Sequence, residues 1–574
     1  MSMENFETSM NRRSFVKGAG LAGAGALAAY CLSGCAPTGN AEAKSDESLA
    51  STGAAEGTEP EEEIEITETR DVDVVVIGSG MSGGVATLAA AEEGLSVVCL
   101  EKLAFVGGTS GSAEGMFGLH SKIQDEQYFS DPANEDITPE ELFVKVENTN
   151  QWSNNTLLAR RWIANTGNTV DWCMDHGMEL VEIVGNQPDD WPMWHVYEGK
   201  GKKVIETFLE KAEAQGAEVL TSTPAKKMLF NDDGSVAAVI AVDSKGNGIQ
   251  FNCKAAICCS GGFACNKEMM EQYTYYTYVE NKELGYTGYT GCEGRMGDCI
   301  KMGQEGGADL FHMGIVMGSM YEIEGIRVPE ENPVRCMVGN VPVLWVNEKA
   351  RRYCNEHQML FDFVSCGENS YTQKRTYSIL DSDIVKRQEQ GVMMRVSGVF
   401  AEGTPVPDGI AALEEAVEGD EFMVWKADTI EELAEKLELD PIALKDTVDY
   451  YNSLCDEGHD AMFMKDPEFM LPVKTPPFYG VKILPTYMTT LGGLAIDERM
   501  RVTDPEGKAI KGLYACGSDA GGLYGYMYDA GLCFGSQQSF CAVGARFAVS
   551  DIANSLLAGG DGEVSSKDLF SFEG

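Results

Sequence analysis

Val72-Asp73-Val74-Val75-Val76-Ile77-Gly78-Ser79-Gly80-Met81-Ser82-Gly83-Gly84 is the stretch from which the fold can be read. Val72 to Ile77 is a short β-branched run of the kind that forms a buried parallel strand. It enters the glycine-rich turn without a break, and a helical pattern follows from Val85 to Glu93. A second apolar run, Ser96 to Leu100, ends in Glu101, 18 positions after Gly83. Strand, glycine turn, helix, strand and acid, in that order, suit a dinucleotide. Gly78 permits the tight turn, Gly80 lets the backbone approach a pyrophosphate, and Gly83 lets helix and strand pack closely. The phosphates would sit on the helix N-terminus, and Glu101 would accept hydrogen bonds from the adenosine ribose. Glycines at this spacing also occur in ligand-free α/β turns; the flanking strands and the acid make the signal specific.

Toward the N-terminus, Asn11-Arg12-Arg13-Ser14-Phe15-Val16-Lys17 precedes a mildly apolar run from Gly18 to Tyr30, closed by Leu32-Ser33-Gly34-Cys35. Charged region, apolar region and small-residue cleavage site are the parts of a signal peptide. The paired arginines resemble a twin-arginine export signal, and Leu-Ser-Gly-Cys resembles a lipobox that would make Cys35 a lipidated mature N-terminus. Residues 1–35 are therefore expected to be an export signal leading to the outer face of the membrane. Residues 36–70 are mostly Ala, Gly, Ser, Thr and Glu and are expected to be a flexible tether.

At 574 residues the chain is long enough for two cores. Ninety acidic against 44 basic residues give a net charge of −46, which repels nucleic acid and anionic lipid. No stretch after the signal is apolar and long enough to span a bilayer, so membrane association is expected only through the anchor. The 17 cysteines follow no pairing pattern and read mostly as buried free thiols, as expected of an exported protein from an anaerobic habitat. Cys253, Cys258, Cys259 and Cys265 match no iron–sulfur spacing, and no metal site is expected.

Three later segments favour FAD over NAD. Gly107-Gly108-Thr109-Ser110-Gly111-Ser112 can wrap a pyrophosphate and a flavin edge. Thr223-Pro224-Ala225 precedes a hairpin-like Asn231-Asp232-Asp233-Gly234, and a strand then runs into Cys259-Ser260-Gly261-Gly262-Phe263. Near the C-terminus, Ile510 to Gly522 leads to Gly535-Ser536-Gln537-Gln538 at the start of an apolar helix. With these segments, residues 70 to 555 resemble the flavoprotein family of fumarate reductases, succinate dehydrogenases, urocanate reductases and ketosteroid dehydrogenases. The resemblance implies an α/β fold: a Rossmann-type FAD-binding domain (71–311 and 487–560) with an inserted α+β capping domain (312–486). It implies FAD contacts at Gly78, Gly80, Met81, Ser82, Gly83, Glu101, Lys102, Gly108, Thr109, Ser110, Ala225, Ser260 and Gly261. Near the C-terminus it implies Ser518 or Asp519 at the ribityl chain and Gly535-Ser536 at the pyrimidine ring, where a helix N-terminus meets developing negative charge. The FAD is expected to be non-covalent, since His120 lies well past the loop that would carry a linkage.

The family does not name the substrate. After Leu344-Trp345-Val346-Asn347, Arg352-Tyr353 and Glu356 match the fumarate-reducing branch, but its catalytic arginine falls on Leu360. Its substrate histidine is missing ahead of Thr490-Leu491-Gly492-Gly493, where Thr489 stands, and its carboxylate-binding arginine falls on Tyr528. Without those cations, fumarate and succinate are poor candidates. Tyr528 and Gly531 instead resemble the ketosteroid dehydrogenase pair in which a tyrosine hydroxyl and a glycine N–H hold the substrate carbonyl. Tyr487 and Tyr526 are the candidate proton donors. Trp191, Trp194 and Tyr197 either wall a pocket for a planar substrate or belong to the core. No Cys-X-X-Cys-His and no second nucleotide fingerprint occur, so electrons are expected from a separate cytochrome or quinol-linked partner. Three readings stay open here: a reductase of an enone or enoate, a dehydrogenase running the other way, and a non-catalytic flavin-binding lipoprotein.

Overall fold

Val74–Ile77 lies inside a six-stranded sheet because every residue in it is apolar and both of its faces are covered. The computed structural model describes residues 64–185, 191–274, 292–323, 333–338, 341–360, 369, 373–391, 405–419 and 424–557. The sheet runs Arg501–Thr503, Ala509–Ala515, Ala255–Cys258, Val74–Ile77, Val97–Leu100, Glu218–Leu220, and is parallel except at its first pair. Val74 stands opposite Val97 and Ala255, and Ile77 opposite Leu100 and Cys258. This register sets the carboxyl ends of three strands side by side at the mouth of the first turn.

The helix Met81–Glu92 is apolar on nearly all sides and packs between the helices Lys200–Ala214 and Ser536–Asp551. Sequence periodicity places its start at Val85; the helix begins four residues earlier and takes Gly83 and Gly84 inside. A four-stranded sheet, Ile66–Asp71, Gly248–Asn252, Val236–Val242 and Ala225–Phe230, lies against the strands of the main sheet. Its last two strands are joined by the expected hairpin at Asn231 to Gly234, closed by the Asn231 N–H on Ser235 O at 2.8 Å. The reading of residues 36–70 as tether needs correction at its end. Ile66–Asp71 is a strand paired in parallel with Gly248–Asn252, and Arg70 bonds Glu218 and Glu68. Its partner lies nearly two hundred residues downstream, beyond any local composition window. Residues 1–63, with the signal and most of the tether, are outside the described residues.

A second apolar core gathers Val334 to Ile483, separate from the core that holds the first turn. Its antiparallel sheet contains Val316–Ile323, Phe478–Thr490, Thr376–Asp381 and Leu344–Asn347, with Val424–Ala427 also on Phe478–Thr490. Phe478–Thr490 is a 13-residue strand that starts in this core and carries Tyr487, Met488 and Thr489 toward the first domain. The domain boundary expected between 486 and 487 thus falls inside one continuous strand. The second core is pinned by a buried ion network. Arg352 donates to both oxygens of Glu356 (2.9 and 2.8 Å) and both of Asp460 (2.9 and 2.8 Å), and Lys465 stands 3.4 Å from Glu356.

Candidate active site

The glycines of the first turn answer to three different constraints. Gly78 has φ +105°, and a Cβ there would stand 2.3 Å from the Cys259 carbonyl oxygen. A Cβ on Gly83 would reach 1.8 Å from the Gly78 oxygen, so helix and strand cross in contact. Gly80 caps the helix, yet a Cβ there would meet no protein atom closer than 3.7 Å. What Gly80 faces is a cleft of about 950 Å³, counting its open mouth.

Gly78, Gly80, Met81 and Ser82 line that cleft with Glu101, Lys102, Gly108, Thr109, Ser110, Ala225, Ser260, Gly261 and Ser518. Glu101 is buried; one oxygen accepts the Ser79 N–H (3.0 Å) and hydroxyl (2.7 Å), the other the Leu103 N–H (2.8 Å). Lys102 pairs with Asp298 at 2.5 Å. Of Ser518 and Asp519, only Ser518 lines the cleft. Ser518 Oγ faces the cleft and bonds Thr489 Oγ1 at 2.8 Å. Asp519 is fully buried behind the wall, where it accepts the Ser260 and Gly262 N–H groups and the Ser260 hydroxyl. Burial raises the Asp519 carboxyl above its ordinary value against those hydrogen bonds.

Gly535 and Ser536 stand at the start of the C-terminal helix but do not line the cleft; Gln537 and Gln538 do. Helical phase explains the difference, since the next two residues turn to another face while Ser536 Oγ bonds the Tyr524 hydroxyl at 3.0 Å. Gln537 donates to Ser518 Oγ (3.0 Å) and Gln538 to Ser110 Oγ (3.3 Å). Arg295 is a further cleft residue that sequence reading did not single out; it lies in no motif. It is 4% exposed, and burial lowers the pKa of its guanidinium. Arg295 Nη2, Gln537 Oε1 and Gln538 Oε1 are buried at the cleft without a hydrogen-bond partner in the protein. Two acceptors and one cationic donor at a cleft whose turn presents a helix N-terminus fit a bound FAD, which is rich in hydroxyls and carries anions.

A second cavity, about 990 Å³ counting its mouth, is lined by Trp191, Trp194, Met193, Leu532 and Phe534, with Gly531, Lys145, Asn148 and Asp529 among the rest. The Trp194 and Phe534 rings meet edge to face at 4.5 Å. Tyr197 is buried in the core and does not line it. Tyr528 lines neither cavity. It is 2% exposed, its ring lies 5.8 Å from that of Tyr524, and its hydroxyl accepts the Gly535 N–H at 2.9 Å. Burial pushes the Tyr528 phenol up to about 12. Tyr487 is buried close to Arg295 and Tyr526 is 61% exposed; neither lines either cavity. Leu360 ends a short 3-10 turn from Glu356, and its side chain lies outside the described residues. Both ring nitrogens of His120 are engaged, with Asp125 (2.8 Å) and the Ile137 carbonyl (3.2 Å).

The described cysteines are mostly buried, and among the described residues no three His, Cys, Asp or Glu side chains gather as metal ligands. No helix among them is long and apolar enough to cross a membrane.

Comparison with known proteins agrees with this architecture. Residues 73–532 match the family described as FAD binding domain. The chain is 31% identical to the vinyl phenol reductase of Lactiplantibacillus plantarum over 478 residues, covering 81% of this chain and 93% of that protein. It spans only about half of two larger NADH-linked relatives, 48% and 45% of their lengths. Among solved structures it resembles a flavocytochrome c3 fumarate reductase (TM-score 0.63, 24% identity, 86% of this chain and 79% of that one). It also resembles the 3-ketosteroid Δ1-dehydrogenase of Sterolibacterium denitrificans (TM-score 0.68, 18% identity, 84% and 100%), which shows a shared fold. With the turn, the cleft and the match over residues 73–532 in agreement, the chain belongs to the FAD binding domain family and is an FAD-dependent oxidoreductase.

Proposed function

We propose that this chain is an exported flavoenzyme that reduces a polarised carbon–carbon double bond in a planar, largely apolar substrate. The observation that carries the reading is the cavity around Gly531, whose lining includes Trp191, Trp194 and Phe534 and suits a flat ring. A few polar groups, Lys145, Asn148 and Asp529, stand among them to orient such a ring. Thr489 and Tyr528 occupy the sequence positions at which the fumarate-reducing pattern has its histidine and arginine, and Lys145, the one cation among the described lining residues of the cavity, is too few for two carboxylates. The relative at 31% identity is a vinyl phenol reductase, a name that pairs an aromatic ring with an alkene.

Reduced FAD supplies a hydride to one alkene carbon; the chain's part is to hold the substrate and manage charge and proton. Gly531 offers its backbone N–H to the substrate oxygen on which negative charge develops. Tyr528 positions that wall from beneath, through its bond to Gly535. Tyr487 is the proton donor in this reading, because the neighbouring Arg295 cation favours the phenolate left behind. FAD is held non-covalently, and electrons arrive from a separate cytochrome or quinol-linked partner whose basic face meets a chain of net charge −46. Export and lipid anchoring at Cys35 place the enzyme on the outer face of the membrane.

The test is an anaerobic mixing experiment in which dithionite-reduced holoenzyme meets vinyl phenols, cinnamate-like enoates, ring enones and fumarate, with flavin reoxidation recorded. At least one aromatic alkene or enone should reoxidise it, with fumarate slower by about two orders of magnitude or more. Fumarate as the fastest oxidant would overturn the substrate assignment. Reoxidation by quinones alone would reverse the direction.

A further inference from the structure

We propose that Arg295 is the counter-charge of the reduced cofactor: its guanidinium closes the same end of the cleft as the N-terminus of the helix Ser536–Asp551 and stabilises the negative charge that FAD gains on reduction. The inference rests on FAD lying in this cleft.

Two hydrogen-bonded paths lead from Arg295 to that helix. On one side, Arg295 Nε donates to the Cys292 carbonyl (3.0 Å) and the Cys292 N–H to Thr109 Oγ1 (3.1 Å). The next residue, Ser110, accepts from Gln538 (3.3 Å). On the other side, Arg295 Nη1 donates to the Met488 carbonyl. The next residue, Thr489, bonds Ser518 (2.8 Å), which accepts from Gln537 (3.0 Å). Both paths end in the first turn of one helix. Guanidinium and helix N-terminus therefore belong to a single frame, and both are positive.

Arg295 is 4% exposed and its Nη2 has no hydrogen-bond partner in the protein. Among the described residues no carboxylate pairs with it, and the nearby Asp298 is taken by Lys102. A buried cation without a counter-charge is destabilising, so the cleft is built for an anion that the chain does not supply. The first path passes beside the turn Gly78 to Ser82, the place of the pyrophosphate, since Ser110 Oγ is 3.7 Å from a Cβ on Gly80; the second, through Met488, Thr489 and Ser518, makes no bond to that turn. The flavin ring supplies the anion. Two electrons and one proton, taken from an external reductant, leave it one added negative charge, and a fixed cation nearby favours that form.

The measurement is the two-electron midpoint potential of the holoenzyme, titrated anaerobically with dithionite and mediator dyes, alongside its FAD dissociation constant. Arg295→Gln should keep FAD but lower the potential by about 30 mV or more, the equivalent of a tenfold or greater loss for the reduced form. Arg295→Lys should recover most of the shift. Sulfite, which adds to the flavin and leaves the same charge, should bind the glutamine variant at least about tenfold more weakly. If glutamine is not tolerated, Arg295→Met is read in the same way. An unchanged potential, with or without weakened FAD binding, would overturn the proposal; weakened binding alone would assign Arg295 to the pyrophosphate. Wild-type protein that binds no FAD would instead remove the cleft assignment beneath it.

Discussion

The backbone N–H of Gly535 donates to the hydroxyl oxygen of Tyr528 at 2.9 Å, which closes the segment that contains Gly531 onto the start of the C-terminal helix. Tyr528→Phe removes that acceptor and leaves a buried N–H without a partner, at a cost of about 1–3 kcal/mol. Urea unfolding of the FAD-loaded variant should show this loss, with the rate of reoxidation by the best substrate falling less than about tenfold. A fall of about 10²- to 10³-fold at unchanged stability would put the hydroxyl on the substrate instead.

Gly80 and Gly83 separate cofactor contact from packing. Gly83→Ala drives a Cβ to 1.8 Å from the Gly78 oxygen and should give little soluble yellow protein. Gly80→Ala meets nothing nearer than 3.7 Å, so the apoprotein should fold normally. Its FAD affinity should nevertheless fall at least about tenfold, because the methyl enters the space kept for the pyrophosphate. Normal FAD binding in Gly80→Ala would show that the cofactor does not approach this turn.

Trp194 tests the second cavity. Trp194→Ala removes the ring packed against Phe534 at 4.5 Å and should raise KM for aromatic substrates about tenfold. A small aliphatic enone should be affected little. Equal changes for both would mean that the tryptophan supports the fold and not the substrate.

The cap should be sensitive to acid. Burial alone would raise the Asp460 carboxyl, but hydrogen bonds and charge from Arg352 outweigh it and hold the group at about 2. A depressed carboxylate adds stability above its unfolded value of 3.8 and loses it as pH falls toward about 2. Glu356 is lowered in the same sense. Unfolding should therefore steepen below pH 4 in wild type, and less so in a variant carrying both Asp460→Asn and Glu356→Gln. Breaking the network singly with Glu356→Gln should cost about 3–5 kcal/mol at neutral pH, since Arg352 retains Asp460 while Lys465, buried 3.4 Å from Glu356, loses its carboxylate. A cost below about 1 kcal/mol would mean the network is solvated in solution.

Sequence alone determined the first domain and its cofactor. A buried β-branched strand, three glycines with distinct steric duties and an acid at the next strand end are local features, and short-range sterics fix them wherever they occur. It also pointed to Ser110, Thr109 and Gly531 through motifs that keep their spacing, and left Ser518 and Asp519 as alternatives. Only tertiary structure settled what long-range packing controls. Ile66–Asp71 became a strand because of a partner near residue 250. Helical phase brought Gln537 and Gln538 to the cleft in place of Gly535 and Ser536. Tyr528 and Gly531, three positions apart, face different surroundings, one the core and one a cavity. Arg295 lies in no motif and stands at the cleft because Cys292 and Met488, nearly two hundred residues apart, hold its guanidinium there. Such convergence of distant segments leaves no periodicity or spacing in the chain, because it is set by how two cores pack and not by neighbours in sequence.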